Sequence, residues 1–287
     1  MHSETVDRTG FETAQQPKAV SRSSRPSPPR STDQATQIGK KFGLPLVVLA
    51  IILALWYWTT AAKKVSPLLV PPPDQVWSAL VSGVFEGLWW SHIGTTLYEM
   101  VAGFGIGVVA GLVIGALFAF MATLYQAFYP FVIALQSFPK VAIAPLLVVA
   151  LGYGPEPKII VAALLAYFPV MSAAIAGFTN VNPEEHKLMR ANQANKWQEL
   201  RYLRLPNAMS YVFPSFDVAV VMALLGAVAA ELVGAQAGLG YLLMERQAFG
   251  DSASMYAALI LLAIMGITLR SAAQGLRSIL PRSIVPR

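Results

Sequence analysis

The sequence predicts an all-α membrane protein with six transmembrane helices, and three observations carry that prediction. Hydrophobic residues make up 55% of the 287-residue chain and charged residues only 13%, against roughly a quarter charged in an average soluble domain. Apolar runs near the ~20 residues that a bilayer-crossing helix requires recur after residue 42. Lysines and arginines gather at the ends of those runs and in one polar insert, Asn182 to Pro206. No stretch remains for a separate globular core, so residues 43–287 form one membrane domain behind a basic tail at residues 1–42.

The tail is rich in Ser, Pro, Gln and Arg and poor in large apolar side chains. It cannot bury enough surface to offset the entropy of ordering, so it is predicted to be disordered. The first span is Gly43 to Thr60. A cleaved signal peptide is its rival reading, because Ala61-Ala62 follow. The basic region before it is too long for that, and the run exceeds the ~7–15 residues of a signal core. Between the first and second spans, Pro71-Pro72-Pro73-Asp74 gives a helix-start signal. Val76, Trp77, Leu80, Val81, Val84 and Phe85 follow at helical spacing, with Trp89 and Trp90 close behind, which predicts an amphipathic helix lying at the outer interface. The remaining spans are Met100 to Thr123, Phe131 to Leu151, Ile159 to Phe178, Val218 to Val233 and Ala253 to Leu269. The last two are short, and each is expected to borrow flanking residues.

Six spans put both termini on one side. With the N-terminus inside, the inner segments hold the tail's seven Lys and Arg, then Lys187, Arg190, Lys196, Arg201 and Arg204, then Arg270, Arg277, Arg282 and Arg287. The outer segments hold only Lys63, Lys64, Lys158 and Arg246. Positive residues favour the cytoplasmic side, so both termini and the 182–206 insert are predicted to be cytoplasmic. The net charge of +6 sits at span ends, not on a face interleaved with exposed aromatics, which argues against nucleic acid as a partner. The absence of cysteine excludes thiol catalysis, disulfides and Cys-ligated zinc. His2, His92 and His186 are scattered, and neither a Gly-x-Ser-x-Gly elbow nor a phosphate-binding Gly-x-x-x-x-Gly-Lys loop occurs. No metal, cofactor or enzymatic activity is predicted, and any ATP used must be hydrolysed by another chain.

Several features are candidates for function. Gly103, Gly107, Gly111 and Gly115 line one face of the second span, so another helix can approach closely; the seam serves packing within one subunit, a dimer contact or a pore lining. The third span is interrupted by Pro130, Gln136, Pro139, Lys140 and Pro145, which predicts a kink or break. Lys140 is tolerable there only facing water, snorkelling or paired, so Pro139 and Lys140 mark a translocation path or merely a span end. Glu231 lies in the fifth span and should face the bundle interior, pairing with a cation or capping backbone amides at a break; it too is a path candidate. Glu99 and Asp217 are placed at span ends, as ordinary solvated carboxylates without a role. In the insert, Asn182 is a good N-cap, Pro183 suits the first helical position, and Glu184 and Glu185 complement the positive helix end. A second helical stretch, Trp197 to Leu203, is expected to put Trp197, Leu200 and Leu203 on one face, with Pro206 barring its continuation. Such an insert reads as a docking knob for a soluble partner, or as a helix lying flat on anionic headgroups.

The insert and several other motifs resemble those of binding-protein-dependent ABC importer permeases, and more narrowly the nitrate, sulfonate and taurine branch, which includes permeases for thiamine-pyrimidine precursors and riboflavin. The residues that carry the resemblance are Leu69 to Trp77, Phe138 to Leu146, Gly152-Tyr153-Gly154, Ala194 to Gln198, Leu205-Pro206, Ala230 to Ala235 and Gly238-Leu239-Gly240. The similarity extends over about residues 68 to 281. Where the family reads Glu-Ala-Ala, this chain has Lys187-Leu188-Met189, and Gln193 replaces the family's loop glycine. A glycine turn is harder to form with Gln.

The resemblance implies the type I importer permease architecture, MetI-like, in a bacterial inner membrane, assembled as a dimer of permease subunits. A cytoplasmic ABC ATPase dimer would lie beneath it, and a periplasmic or lipid-anchored solute-binding protein above. Arg190, Ala191, Asn192, Gln193, Ala194, Asn195, Lys196 and Trp197 would make the ATPase contact. The cargo would be a small solute of the nitrate, sulfonate, taurine or pyrimidine-precursor type. The competing functions are a secondary transporter or channel, disfavoured by the lack of an evident internal repeat and the scarcity of intramembrane acids, and a membrane scaffold that recruits a soluble protein.

Overall fold

The computed structural model describes residues 31–62 and 66–279, without the side chains of residues 31–42 and 276–279. Residues 1–30, most of the predicted disordered tail, lie outside the described residues. By internal contacts the chain forms two units, residues 1–52 and 53–287. The described part of the first is helical from Ser31, within α1 (Ser31–Ala61). Helix therefore replaces the expected disorder over residues 31–42. Once an apolar run has nucleated a helix, each further residue adds a hydrogen bond at little extra cost, so a polar lead-in can propagate it.

The second unit is also helical. After α1 come α2 (Pro73–Phe85), α3 (Trp90–Phe120), α4 (Ala122–Ser137), a tight 3₁₀ turn (Lys140–Ile143), α5 (Ala144–Leu151) and α6 (Glu156–Thr179). The insert holds α7 (Pro183–Ala191), α8 (Lys196–Glu199) and a wide π-turn (Leu200–Arg204); α9 (Leu205–Glu231), α10 (Leu239–Ala248) and α11 (Ser252–Ile279) follow. Among the described residues, five helical stretches are long and apolar enough to cross a membrane, and α4 with the Lys140–Leu151 segment, bent by 83°, makes a sixth if the bent pair is one span. The break at Pro139 was anticipated. The proline cannot donate to the preceding turn, and its own carbonyl accepts from Ala142 N–H at 2.8 Å.

The core is built by α3, α6 and α9, which make the most extensive contacts in the chain. Gly103, Gly107, Gly111 and Gly115 face Ala162, Ala166, Val170 and Ala174 in register, and those four side chains are fully buried. Both series rise along the chain together, so α3 and α6 run parallel. The bent pair between them must therefore carry the chain back across. On the other face of α6, Gly226 of α9 sits against the Ala162 backbone, and a Cβ at 226 would stand 2.8 Å from Ala162 Cα. Ala162 is thus pressed between two glycines, and the three backbones approach as van der Waals packing in a membrane favours.

Two expectations fail here. Helix continues unbroken from Lys196 to Glu231, so Pro206 does not end the insert's helix but begins α9, near whose first turn its missing N–H is tolerated. Asp217 lies well inside α9, not at a span end, and its Oδ2 accepts from Gln274 Nε2 of α11 at 2.9 Å; a hydropathy window starts the span late because residues 205–217 are only moderately apolar.

Gly111→Ala would place its Cβ 2.5 Å from the Tyr167 carbonyl oxygen, whereas the Cβ of Gly105→Ala, on the opposite face of α3, meets nothing within 4 Å. Gly111→Ala is expected to destabilise the folded protein by about 1–3 kcal/mol, and Gly105→Ala to be neutral or to stabilise it by up to ~1 kcal/mol. Denaturation of the two variants in detergent micelles, side by side, measures the difference.

Candidate functional site

The insert is a small, internally bonded unit. Asn182 Oδ1 accepts from Glu184 N–H at 3.0 Å and opens α7. At the far end of α7, Ala194 N–H bonds to Met189 O and Gln193 N–H to Arg190 O, both at 3.0 Å, which closes the helix as a glycine-type C-terminal motif does. Gln193 has φ +55°. Gln193, where the resemblance implies a glycine, therefore adopts a left-handed backbone, at a cost of about 1–2 kcal/mol. Asn195 and Gln198 then exchange side-chain bonds with each other's backbone N–H at 2.8 Å, a complete capping box that starts α8.

The insert is also tied to the spans on both sides. Glu199 pairs with Arg204 at 2.7 Å and with His186 at 3.3 Å, joining α7 to the π-turn. Arg204 Nη1 donates to Phe178 O at 3.1 Å, and Asn207 Nδ2 to Gly177 O and Asn180 O at 2.6 and 3.0 Å. These bonds satisfy carbonyls that the end of α6 leaves unpaired. In the π-turn, Leu205 N–H reaches Leu200 O, five residues back. That wider ladder rotates the helix, so Leu203 is buried while Trp197 is 65% exposed; the expected common face of Trp197, Leu200 and Leu203 does not form. Sequence periodicity assumes 3.6 residues per turn throughout and cannot anticipate a π-turn. Arg190 to Gln193 and Asn195 to Trp197 are exposed and Ala194 is half-buried, and the large apolar side chains of Leu188, Trp197 and Tyr202 stand out from the insert.

A second constellation lies at the opposite end of α9. Glu231 Oε1 accepts from Thr96 Oγ1 at 2.6 Å, and Oε2 accepts from Gly240 N–H at 2.6 Å. Thr96 Oγ1 accepts in turn from Leu239 N–H at 2.7 Å, and His92 Nδ1 from Gly238 N–H at 3.2 Å. Consecutive amides at the start of α10 are thus held by α3 and α9, with the carboxylate at the positive helix end. Gly238 makes this possible: its φ is +113° and its Cα lies against the Glu231 carboxylate, with no room for a Cβ. On the neighbouring turn, Lys158 Nζ donates to Tyr153 O and Gly154 O at 2.7 Å.

Glu99 and Lys158 correct the sequence reading. Glu99, expected to be solvated, is 2% exposed, and Lys158, counted among the outer-loop cations, is 1% exposed. Lys158 interacts electrostatically with Glu99, Glu231 and Glu156. The missed signal is helical: Glu99 is four residues before Gly103, and Lys158 four before Ala162, so each extends a packing stripe by one turn. Both flank a cavity of about 520 Å³. Pro139 and Lys140 are not part of this cluster. Pro139 is exposed and Lys140 half-buried in the turn between α4 and α5, and neither Glu99 nor Glu231 pairs with Lys140. Among the described residues no cluster of His, Cys, Asp and Glu is arranged to hold a metal ion.

Residues 103–285 match the family described as binding-protein-dependent transport system inner membrane component. The chain is 31% identical over 225 residues to a probable ABC transporter permease of Haemophilus influenzae, covering 78% of this chain and 91% of that one. It is 30% identical over 240 residues to the riboflavin transport system permease of Chloroflexus aurantiacus, covering 84% and 89%. It is 28% identical over 233 residues to the formylaminopyrimidine transport permease of Halalkalibacterium halodurans, covering 81% and 93%. In fold it resembles an inward-facing structure of the MetNI methionine ABC transporter, with a TM-score of 0.59 at 19% identity over 66% of this chain and 95% of that one.

Thr96 both donates to Glu231 and accepts from Leu239, so Thr96→Val leaves two buried groups without a partner. A loss of about 1–3 kcal/mol in stability is expected, with Thr96→Ser close to the parent protein; thermal unfolding of both variants is the measurement.

Proposed function

Because this chain belongs to the family of binding-protein-dependent transport system inner membrane components, we propose that it is the membrane-spanning subunit of an ATP-driven importer of a small solute. Its 182–206 insert docks on a separate cytoplasmic ATPase. It is a multi-pass inner-membrane protein whose role is translocation, not catalysis. Two copies form the pore, both termini face the cytoplasm, and a solute-binding protein meets the opposite surface. The solutes in its relatives' names, riboflavin and formylaminopyrimidine, are small and polar, and a cargo of that kind is proposed here.

The observation that carries this reading is the construction of the insert. Its backbone ends are capped, Glu199 is paired with Arg204 and His186, and its large apolar side chains are left outward. An exposed aromatic anchor on a rigid support is what a protein-binding surface requires. The segment Arg190 to Trp197 makes the ATPase contact in this reading. Movement imposed there passes to α6 through Arg204 and Asn207. It also passes to α9, whose 27 residues make a rod of about 40 Å ending at Glu231. The break at Pro139 and Lys140 is proposed to flank the path. The scarcity of positive charge in the outer segments supports the orientation.

Trp197→Ala is expected to weaken capture of the ATPase at least tenfold in a pull-down without changing the yield of membrane-inserted permease. Gln193→Pro should do the same, because proline cannot reach a positive φ and removes the N–H bonded to Arg190, whereas Gln193→Gly should bind normally. Undiminished capture by Trp197→Ala and Gln193→Pro, or labelling of Lys187 and Lys196 from outside intact cells, would overturn the assignment.

A further inference from the structure

We infer that Glu199 and Arg204 are positioning residues for the docking of the ATPase: their ion pair holds residues 200–204 in the π register, and that register turns Trp197 away from the bundle. This rests on the importer reading and adds to it two residues outside the Arg190 to Trp197 contact segment.

The spacing of the pair carries the argument. In an α-helix each residue turns the chain by about 100°, so side chains five apart diverge by about 140°, and only those three or four apart are neighbours. In a π-turn the ladder closes five residues back, as Leu205 N–H does on Leu200 O, and residue i+5 comes round beside residue i. Glu199 and Arg204 are five apart, and Arg204 Nε donates to Glu199 Oε1 at 2.7 Å. The pair therefore favours the wider turn over regular helix. Arg204 is fixed from two further directions. Its Nη1 donates to Phe178 O at 3.1 Å, and its guanidinium carbon lies 5.7 Å from the centre of the Phe120 ring. Both side chains of the pair are largely shielded from water, where a charge-assisted bond keeps more of its strength than on an open surface.

The register decides what the insert presents. A π-turn holds one residue more than a regular helix of the same phase. With α9 anchored by the buried side chains of Leu203 and Ala208, absorbing that residue into an α-helix would rotate α8 by about 100° about the helix axis. Trp197 would then leave its outward direction. His186 also reaches Glu199, at 3.3 Å, but it belongs to α7 and ties that helix to α8 without selecting the turn that follows.

The chain has no cysteine, so Trp197→Cys and Leu203→Cys each give a protein with a single thiol. Its rate of labelling by a water-soluble maleimide reads which way that position faces. On the purified permease in lipid nanodiscs, without ATPase, position 197 is expected to label at least about tenfold faster than position 203, because thiol reactivity follows exposure. Adding Glu199→Gln should shrink that ratio at least about threefold, and so should Arg204→Lys, which keeps the charge but not the fork that reaches Glu199 and Phe178 together. Arg204→Lys decides the matter if Glu199→Gln does not insert. His186→Ala should leave the ratio unchanged. Deleting Tyr202 in the Glu199→Gln protein should restore it, because a regular helix one residue shorter keeps α8 and α9 in phase; a merely structural defect is not cured by shortening the chain. An unchanged ratio in Glu199→Gln and Arg204→Lys, an equal change in His186→Ala, or no restoration by the deletion overturns the inference. Capture of the ATPase by the Glu199→Gln permease with Trp197 intact should fall at least about threefold. Reduced capture with unchanged labelling sinks this inference alone, and a shifted ratio with undiminished capture sinks the docking assignment on which the importer reading stands.

Discussion

Glycine at positions 103, 107, 111 and 115 lets the backbone of α3 settle onto the small-residue face of α6, and Gly226 does the same for α9 from the other side. In a membrane, helices gain nothing from hiding apolar surface from water, so association depends on how closely the backbones pack and on buried polar contacts. Here the first makes the second possible. Glu99 and Lys158 lie one turn, and Thr96 two turns, beyond the small side chains of α3 and α6, and Glu231 lies five residues past Gly226 on α9. Separating α3 from α6 by a methyl group or two would pull Thr96 away from Glu231 and leave the start of α10 without a cap.

The two polar centres of the protein therefore sit at the two ends of α9 and are joined by it. At one end, Arg204 and Asn207 lock the insert to the last turn of α6. At the other, Glu231 and Thr96 lock α10 to α3. The insert and the Glu231 cluster are thus joined through one continuous helix of 27 residues. The π-turn (Leu200–Arg204) leads directly from the exposed residues of the insert into α9.

Much of this was legible in the amino-acid order. The glycine seam, the break at Pro139, the Asn182 cap and the inward-facing Glu231 follow from spacing and from the intolerance of a bilayer for unpaired polar groups. The errors have two causes. Glu99, Lys158 and Asp217 were judged by their distance from the ends of apolar runs, yet helices α3, α6 and α9 extend beyond those runs, and the added turns are packed. Trp197 and Leu203 were judged by a regular helical period that the π-turn breaks. Gln193 does take the left-handed backbone that glycine adopts more readily, and the bonds of residues 193 and 194 to Arg190 and Met189 hold it there.

Composition and order alone determined that the chain is helical, that it crosses a membrane several times, and that one polar insert divides its spans, because hydropathy and helical period are local properties. Which charges meet was decided only in three dimensions. Glu99, Lys158 and Glu231 are far apart in the chain, and their electrostatic partnership depends on the parallel alignment of α3 with α6 and the return of α9, an arrangement set by interhelical packing that no local pattern encodes.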